Sequence, residues 1–168
     1  MTAERARAIV GSTVFLFVAP GIVAGVIPWA ISGWRMEAAL FGADALRWLG
    51  VLFLLLGGAL LLETFARFAL QGLGTPAPIA PTKTLVVTGS YRFVRNPMYV
   101  AVVSLIIGQG LLFGSLGTLV YGAAVWLTVH LFVLAYEEPT LASTYGDQYT
   151  LYRANVRRWV PRLMPWRD

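Results

Sequence analysis

The sequence predicts an all-α polytopic membrane helix bundle with four transmembrane helices, the last two a short hairpin, followed by a cytoplasmic C-terminal helix. Three observations lead there. Of 168 residues, 58% are apolar and 12% charged, where a water-soluble domain of this size carries roughly a quarter charged. Apolar runs long enough to cross a hydrocarbon core of about 30 Å recur along the chain. The basic residues cluster on one side of those runs. Cysteine is absent and there is one histidine, which excludes disulfide frameworks, thiolate nucleophiles and Cys- or His-built metal centres, so no metal site is expected. The net charge of +5 is read as topology and contact with lipid headgroups, not as nucleic-acid binding.

The first apolar run, about Ala8 to Ile31, contains Pro20 and Pro28, which lipid-embedded helices tolerate. Arg5 and Arg7 before it imitate a signal peptide, but the run exceeds a typical signal core and is expected to be retained. The second run, about Ala45 to Leu70, is rich in leucine, with Gly57 and Gly58 where another helix can approach closely. The third, Met98 to Tyr136, is too long for one crossing, and Gly114-Ser115-Leu116-Gly117 marks a turn that makes it a hairpin of two short helices. Four crossings place every Lys and Arg except Arg35 and Arg47 on one side. The positive-inside rule then puts both termini and the middle loop in the cytoplasm.

Between the second and third runs, Gly72 to Pro81 carries three prolines and two glycines and reads as an extended linker. The tail from Glu137 to Asp168 has room for one helix, about Thr140 to Val156, with Tyr145, Tyr149 and Tyr152 on one face. Trp159 and Trp166, interleaved with arginines, read as an interfacial anchor on anionic lipid. The chain is thus one membrane domain over residues 1–168. It divides into helices one and two (1–70), a cytoplasmic loop (71–97), and the hairpin with its tail (98–168).

Five places carry polar groups that an apolar chain must account for. In Gly89 to Tyr99, Pro97 suits the first helical turn and Asn96 the N-cap. Arg92 and Arg95 serve either topology or binding. Gly108-Gln109-Gly110 permits close approach, of a ligand or of another helix. Glu137-Glu138-Pro139 ends the fourth helix with two carboxylates at the negative end of its dipole, which calls for counter-charges from Arg92 and Arg95, a cationic ligand or hydroxyl groups. His130, one face along from Glu137, is an interhelical hydrogen-bond partner or a proton shuttle. Glu63 and Arg67 form an i, i+4 pair.

The order Gly-x-Tyr-Arg-x-x-Arg-Asn-Pro-x-Tyr at 89–99, Gly-x-Gly at 108–110, Glu-Glu-x-x-Leu at 137–141 and Tyr-Gly-x-x-Tyr-x-x-Tyr from Tyr145, running on to Arg162, resembles the isoprenylcysteine carboxyl methyltransferase and phospholipid methyltransferase superfamily. The resemblance covers about the C-terminal half. It implies an integral-membrane methyltransferase that uses S-adenosylmethionine at the cytoplasmic face. Arg95, Asn96, Tyr99, Gly108, Gly110, Glu137 and Glu138 are implied as cofactor-binding, with Arg92 or Arg95 taking the cofactor carboxylate and the glutamates its cationic groups and ribose hydroxyls. Many relatives have histidine where this chain has Asn96. An amide cannot titrate, so Asn96 is assigned to positioning. A carboxylate acceptor needs no base; for an amine or hydroxyl acceptor, Glu138 and His130 are the catalytic candidates. The acceptor is expected to be lipophilic and to enter from the bilayer between helices. The alternatives are a membrane-embedded NADPH-dependent reductase of the steroid-reductase type, which the Glu-Glu pair weighs against, and a small transporter or a non-catalytic interaction protein. A transporter needs a carboxylate deep in a span, whereas Glu63, Glu137 and Glu138 lie near cytoplasmic ends.

Overall fold

The computed structural model describes residues 14, 16–71 and 85–167. Among these the chain is helical, with no strand. The helices are α1 (Leu16–Ser32), α2 (Ala45–Gln71), α3 (Pro97–Phe113), α4 (Leu116–Phe132) and α5 (Glu138–Asn155), with short 3-10 turns at Leu40–Gly42 and Gly89–Arg92. The start of helix one and the proline-rich linker 72–81 lie outside the described residues.

Among the described residues, two helices are long and apolar enough to cross a membrane: α2 over Ala45–Arg67, and the continuous helix Leu116–Asn155. The apolar part of the latter ends at Tyr136, after about 31 Å. α3, at 17 residues, reaches about 25 Å and is shorter than a typical hydrocarbon core; the described part of α1 is also 17 residues. Large apolar side chains stand exposed along α2 and α4, among them Leu55, Leu56, Leu62, Val120 and Leu131. That surface suits lipid tails and would be a liability in water.

The chain forms two compact units. In the first, Leu16–Leu61 with Met98–Thr128, the helices meet through small residues. A Cβ on Gly50 would lie 2.7 Å from the Gly108 carbonyl oxygen and 2.7 Å from the Leu112 nitrogen. The backbones of α2 and α3 therefore touch there, as small residues permit in membrane helices. Gly57 faces Ala101 and Ser104, whereas Gly58 has nothing within 4 Å. The hairpin turn falls where expected: Gly114 adopts φ +76°, and Ser115 caps α4 by accepting the Thr118 amide at 3.3 Å. Arg47 donates to the carbonyls of Leu112 at 2.7 Å and Glu37 at 2.6 Å, closing the C-terminal end of α3.

Inside α1, a π turn over Ile22–Val26 ends two residues before Pro28. Proline has no N–H, so the carbonyls four and five residues earlier, Ala24 and Val23, lose their helical donor. Both are supplied by side chains. Gln109 Nε2 donates to Ala24 O at 2.6 Å and the Tyr121 hydroxyl donates to Val23 O at 3.0 Å. Gln109→Leu orphans the Ala24 carbonyl and is expected to cost about 1–3 kcal/mol, measured as a lowered Tm in detergent.

The second unit comprises Leu62–Pro97 and Val129–Asp168, with Met1–Phe15. One expectation is corrected in it. Glu137-Glu138-Pro139 does not end the helix: a second π turn, Val133–Glu137, again ends two residues before a proline, and α4 runs on into α5. The break in the helix therefore moves to the far end of the tail helix. α5 covers Glu138–Asn155, against 140–156 expected, and bends at Gly146 (φ +51°, ψ −123°). Its core is Tyr149, Tyr152 and Val156, with Leu85, Val87, Leu141, Tyr145 and Trp166 packed around them.

Candidate functional site

Two irregular stretches build the polar centre of the second unit, the segment before α3 and the tail after α5. Backbone hydrogen bonds stitch them: Arg95 N–H to Arg157 O, Arg162 N–H to Phe93 O and Trp166 N–H to Arg92 O, each 2.9 Å. Tyr152 adds its hydroxyl to Tyr91 O at 2.7 Å. Beyond the 3-10 turn Gly89–Arg92 these bonds hold the segment in place, and Asn96 falls immediately before the first helical residue, Pro97.

Arg95 lies at the middle of this arrangement, its side chain 9% exposed. Its Nη1 reaches the Tyr149 hydroxyl at 3.0 Å and Glu138 Oε1 at 3.1 Å. Its Nε is buried with no acceptor, and a buried guanidinium N–H left unpaired is costly. Glu138 also holds Arg158 in a two-pronged pair, at 2.6 and 2.9 Å. Burial alone would raise the Glu138 carboxyl, but the Arg158 hydrogen bond and the charges of Arg95, Arg158 and Arg153 outweigh it and hold the group below the usual carboxylate range. A carboxylate so committed is a poor proton acceptor, and its role here is to position Arg95.

The other anticipated residues of this unit divide in their tasks. Arg92 is turned to the tail, donating from Nε to Trp166 O at 2.6 Å. Asn96 donates to Arg158 O at 3.1 Å. Glu137 lies near Tyr91, whose phenol is driven well above its ordinary value by burial and then by the charges around it, Glu137 first. His130 accepts the Trp159 indole N–H on Nδ1 at 2.9 Å, so the histidine ties the tail to α4. Tyr99, Gly108 and Gly110 belong to the other unit. There the space beside Gly108 is filled by Gly50 and Leu54 and that beside Gly110 by Leu119, so both glycines serve helix packing.

Several partners were not anticipated. Trp159 and Trp166, expected as an interfacial anchor on anionic lipid, have partners within the chain, Trp159 in His130 and Trp166 in the Tyr152 ring at 5.7 Å. Arg158 is the principal partner of Glu138. The Glu63–Arg67 pair is present and extends to Ser90, whose hydroxyl donates to Glu63 Oε2 at 2.6 Å. Gly89 makes room for it: at φ +54°, a Cβ there would overlap the Arg67 guanidinium. The only hint in sequence was chemical, since two carboxylates at a helix's negative end require cations from somewhere.

A cavity of about 330 Å³ in the first unit is lined by Ala24, Trp34, Leu54, Gln109 and Phe113. The Gln109 amide is engaged at both ends, by the Trp34 indole at 2.9 Å and by Ala24 O. The chemistry therefore concentrates at Arg95, a fixed cation with an unmet donor beside an ionised carboxylate.

The model of the phospholipid methyltransferase family matches residues 45–148, more than half of the chain and including the 89–99, Gly-x-Gly and Glu-Glu motifs. Neither curated proteins nor solved structures give a significant match. On the strength of that match, the chain belongs to the phospholipid methyltransferase family, a family of membrane methyltransferases.

Proposed function

We propose that this protein transfers a methyl group from S-adenosylmethionine to a lipophilic acceptor that enters from the bilayer, at the cytoplasmic end of four membrane crossings with both termini in the cytoplasm. The observation that carries the cofactor is the buried Arg95 Nε with no acceptor. The donor set fits: a guanidinium fixed by Glu138 and Tyr149 is a ready partner for a carboxylate. Glu137 supplies negative charge for the cationic or ribose part of the same molecule, and Asn96 helps to hold the segment in register. Bound there, S-adenosylmethionine supplies an electrophilic methyl group on a sulfonium.

The chain's own part in catalysis is alignment and exclusion of water. Glu138 is held ionised by two guanidinium groups and His130 Nδ1 is already engaged, so neither supports the reading of a dedicated general base. An acceptor whose attacking atom is unprotonated at neutral pH suits such a site. No observation favours the nicotinamide alternative.

The test is calorimetric titration of the detergent-purified protein with S-adenosylhomocysteine, with NADPH in parallel. S-adenosylhomocysteine alone is expected to bind. Arg95→Met removes the charge-assisted bond and is expected to weaken binding about ten- to hundred-fold, while Arg35→Met leaves it unchanged. Equal affinity in wild type and Arg95→Met sinks the site assignment.

A further inference from the structure

We propose that the tail loop Val160–Met164 is a membrane-inserting wedge, seated at the headgroup–acyl boundary of an anionic leaflet. Beside the tryptophans expected as an anchor, this loop presents further apolar side chains. Leu163 is 100% exposed and Met164 76%, with Val160 also exposed. Two large apolar side chains so exposed on an irregular loop have no internal structural reason to be there.

The loop is held, not trailing. Arg162 N–H bonds Phe93 O and Trp166 N–H bonds Arg92 O, so both ends of the 163–165 tip are clamped to the same neighbouring strand of backbone. Such clamping presents Leu163 and Met164 at a fixed position, which lowers the ordering cost of insertion.

Depth is set by Trp159. Its indole bonds His130, which lies seven residues, or about 10 Å, before Glu137 on a continuous helix. The exposed Leu131 and Leu134 follow His130 there. The chain that enters the loop thus starts beside the apolar part of α4, and Val160 is the next residue.

Charge selects the partner. Arg153, Arg157 and Arg167, on both sides of the loop, are all exposed. Apolar tips ringed by exposed guanidinium groups match a leaflet rich in anionic lipid, where each such residue adds to binding. An apolar protein groove would leave those charges without a counterpart.

The native chain has no cysteine, so Leu163→Cys can carry a single environment-sensitive fluorophore without competing thiols. In vesicles of phosphatidylcholine with phosphatidylglycerol, the label is expected to emit at shorter wavelength, to be quenched by lipid nitroxide near the headgroup, and to resist iodide. In the same labelled protein, Arg157→Gln is expected to lower the inserted-to-free ratio roughly five-fold. A label at 163 that remains accessible to iodide in these vesicles overturns the wedge and leaves the patch to a protein partner. Insertion that is equal in pure phosphatidylcholine overturns the anionic requirement.

Discussion

Glu138→Ala is expected to unfold the second unit at a much lower temperature than wild type and to remove S-adenosylhomocysteine binding with it. The carboxylate is the shared counter-ion of Arg95 and Arg158. Without it Arg95, 9% exposed, keeps one neutral partner, the Tyr149 hydroxyl, and its Nε already lacks an acceptor. Breaking a buried pair by deleting one member costs about 3–5 kcal/mol, because the surviving charge remains buried. That is a large share of the stability of an ordinary domain. The pH dependence follows from the depressed carboxyl. A group whose folded-state value is lowered adds stability above its unfolded value, and the gain is lost as pH falls through the folded value. Wild type should therefore lose stability on acidification below the usual carboxylate range, and Glu138→Ala should lack that part of the acid limb. Tm in detergent as a function of pH checks both statements, and matching acid limbs in the two proteins would remove the argument.

Gly50→Val is expected to damage the first unit severely. A Cβ at Gly50 stands 2.7 Å from two backbone atoms of α3 and 3.1 Å from the Leu111 side chain. Backbone cannot rotate away as a side-chain end can, so α2 and α3 must separate. Overpacking costs typically 1–3 kcal/mol and more where the neighbours are rigid. Gly58→Val on the same helix is the control, since nothing lies within 4 Å of its added carbon. Its effect should be small, and both helix-propensity changes are alike. Comparable Tm losses for the two would show that the contact at Gly50 carries no special weight.

Much of the helical order was legible in the sequence. Run length marks α2 and the 98–136 stretch, and Gly114-Ser115-Leu116-Gly117 marks the turn between α3 and α4. What escaped it depended on distant parts of the chain. Arg158 lies 20 residues from Glu138, and their pairing exists because the tail folds back after Asn155, which no local period encodes. Arginine and tryptophan alternating after 156 has the composition of a lipid anchor, yet Arg158 and Trp159 are drawn inward by Glu138 and His130. Pro139 reads as a stop because the π turn that carries the helix past it leaves no sequence mark. Gly57 and Gly58 looked equivalent, and register alone makes one a contact and the other open. Arg95 and Glu138 were identified as residues that need partners, and the Glu138–Arg95 pair is present; the residue that shares the pair was not foreseen.

The two carbonyls released near Pro28 have a history as well as a geometry. Their donors lie 85 and 98 residues further along the chain. At a synthesis rate of about 5–20 residues per second, Gln109 and Tyr121 emerge roughly 4–20 s after the carbonyls they serve. During that interval the two backbone acceptors of α1 lack their side-chain donors, and an unmet backbone acceptor costs several kcal/mol in an apolar surrounding. Arrival of the α3–α4 hairpin supplies those donors. The late-made half of the chain thus acts on its first helix as an assembly partner, and α1 reaches its settled state only when the hairpin has been synthesised.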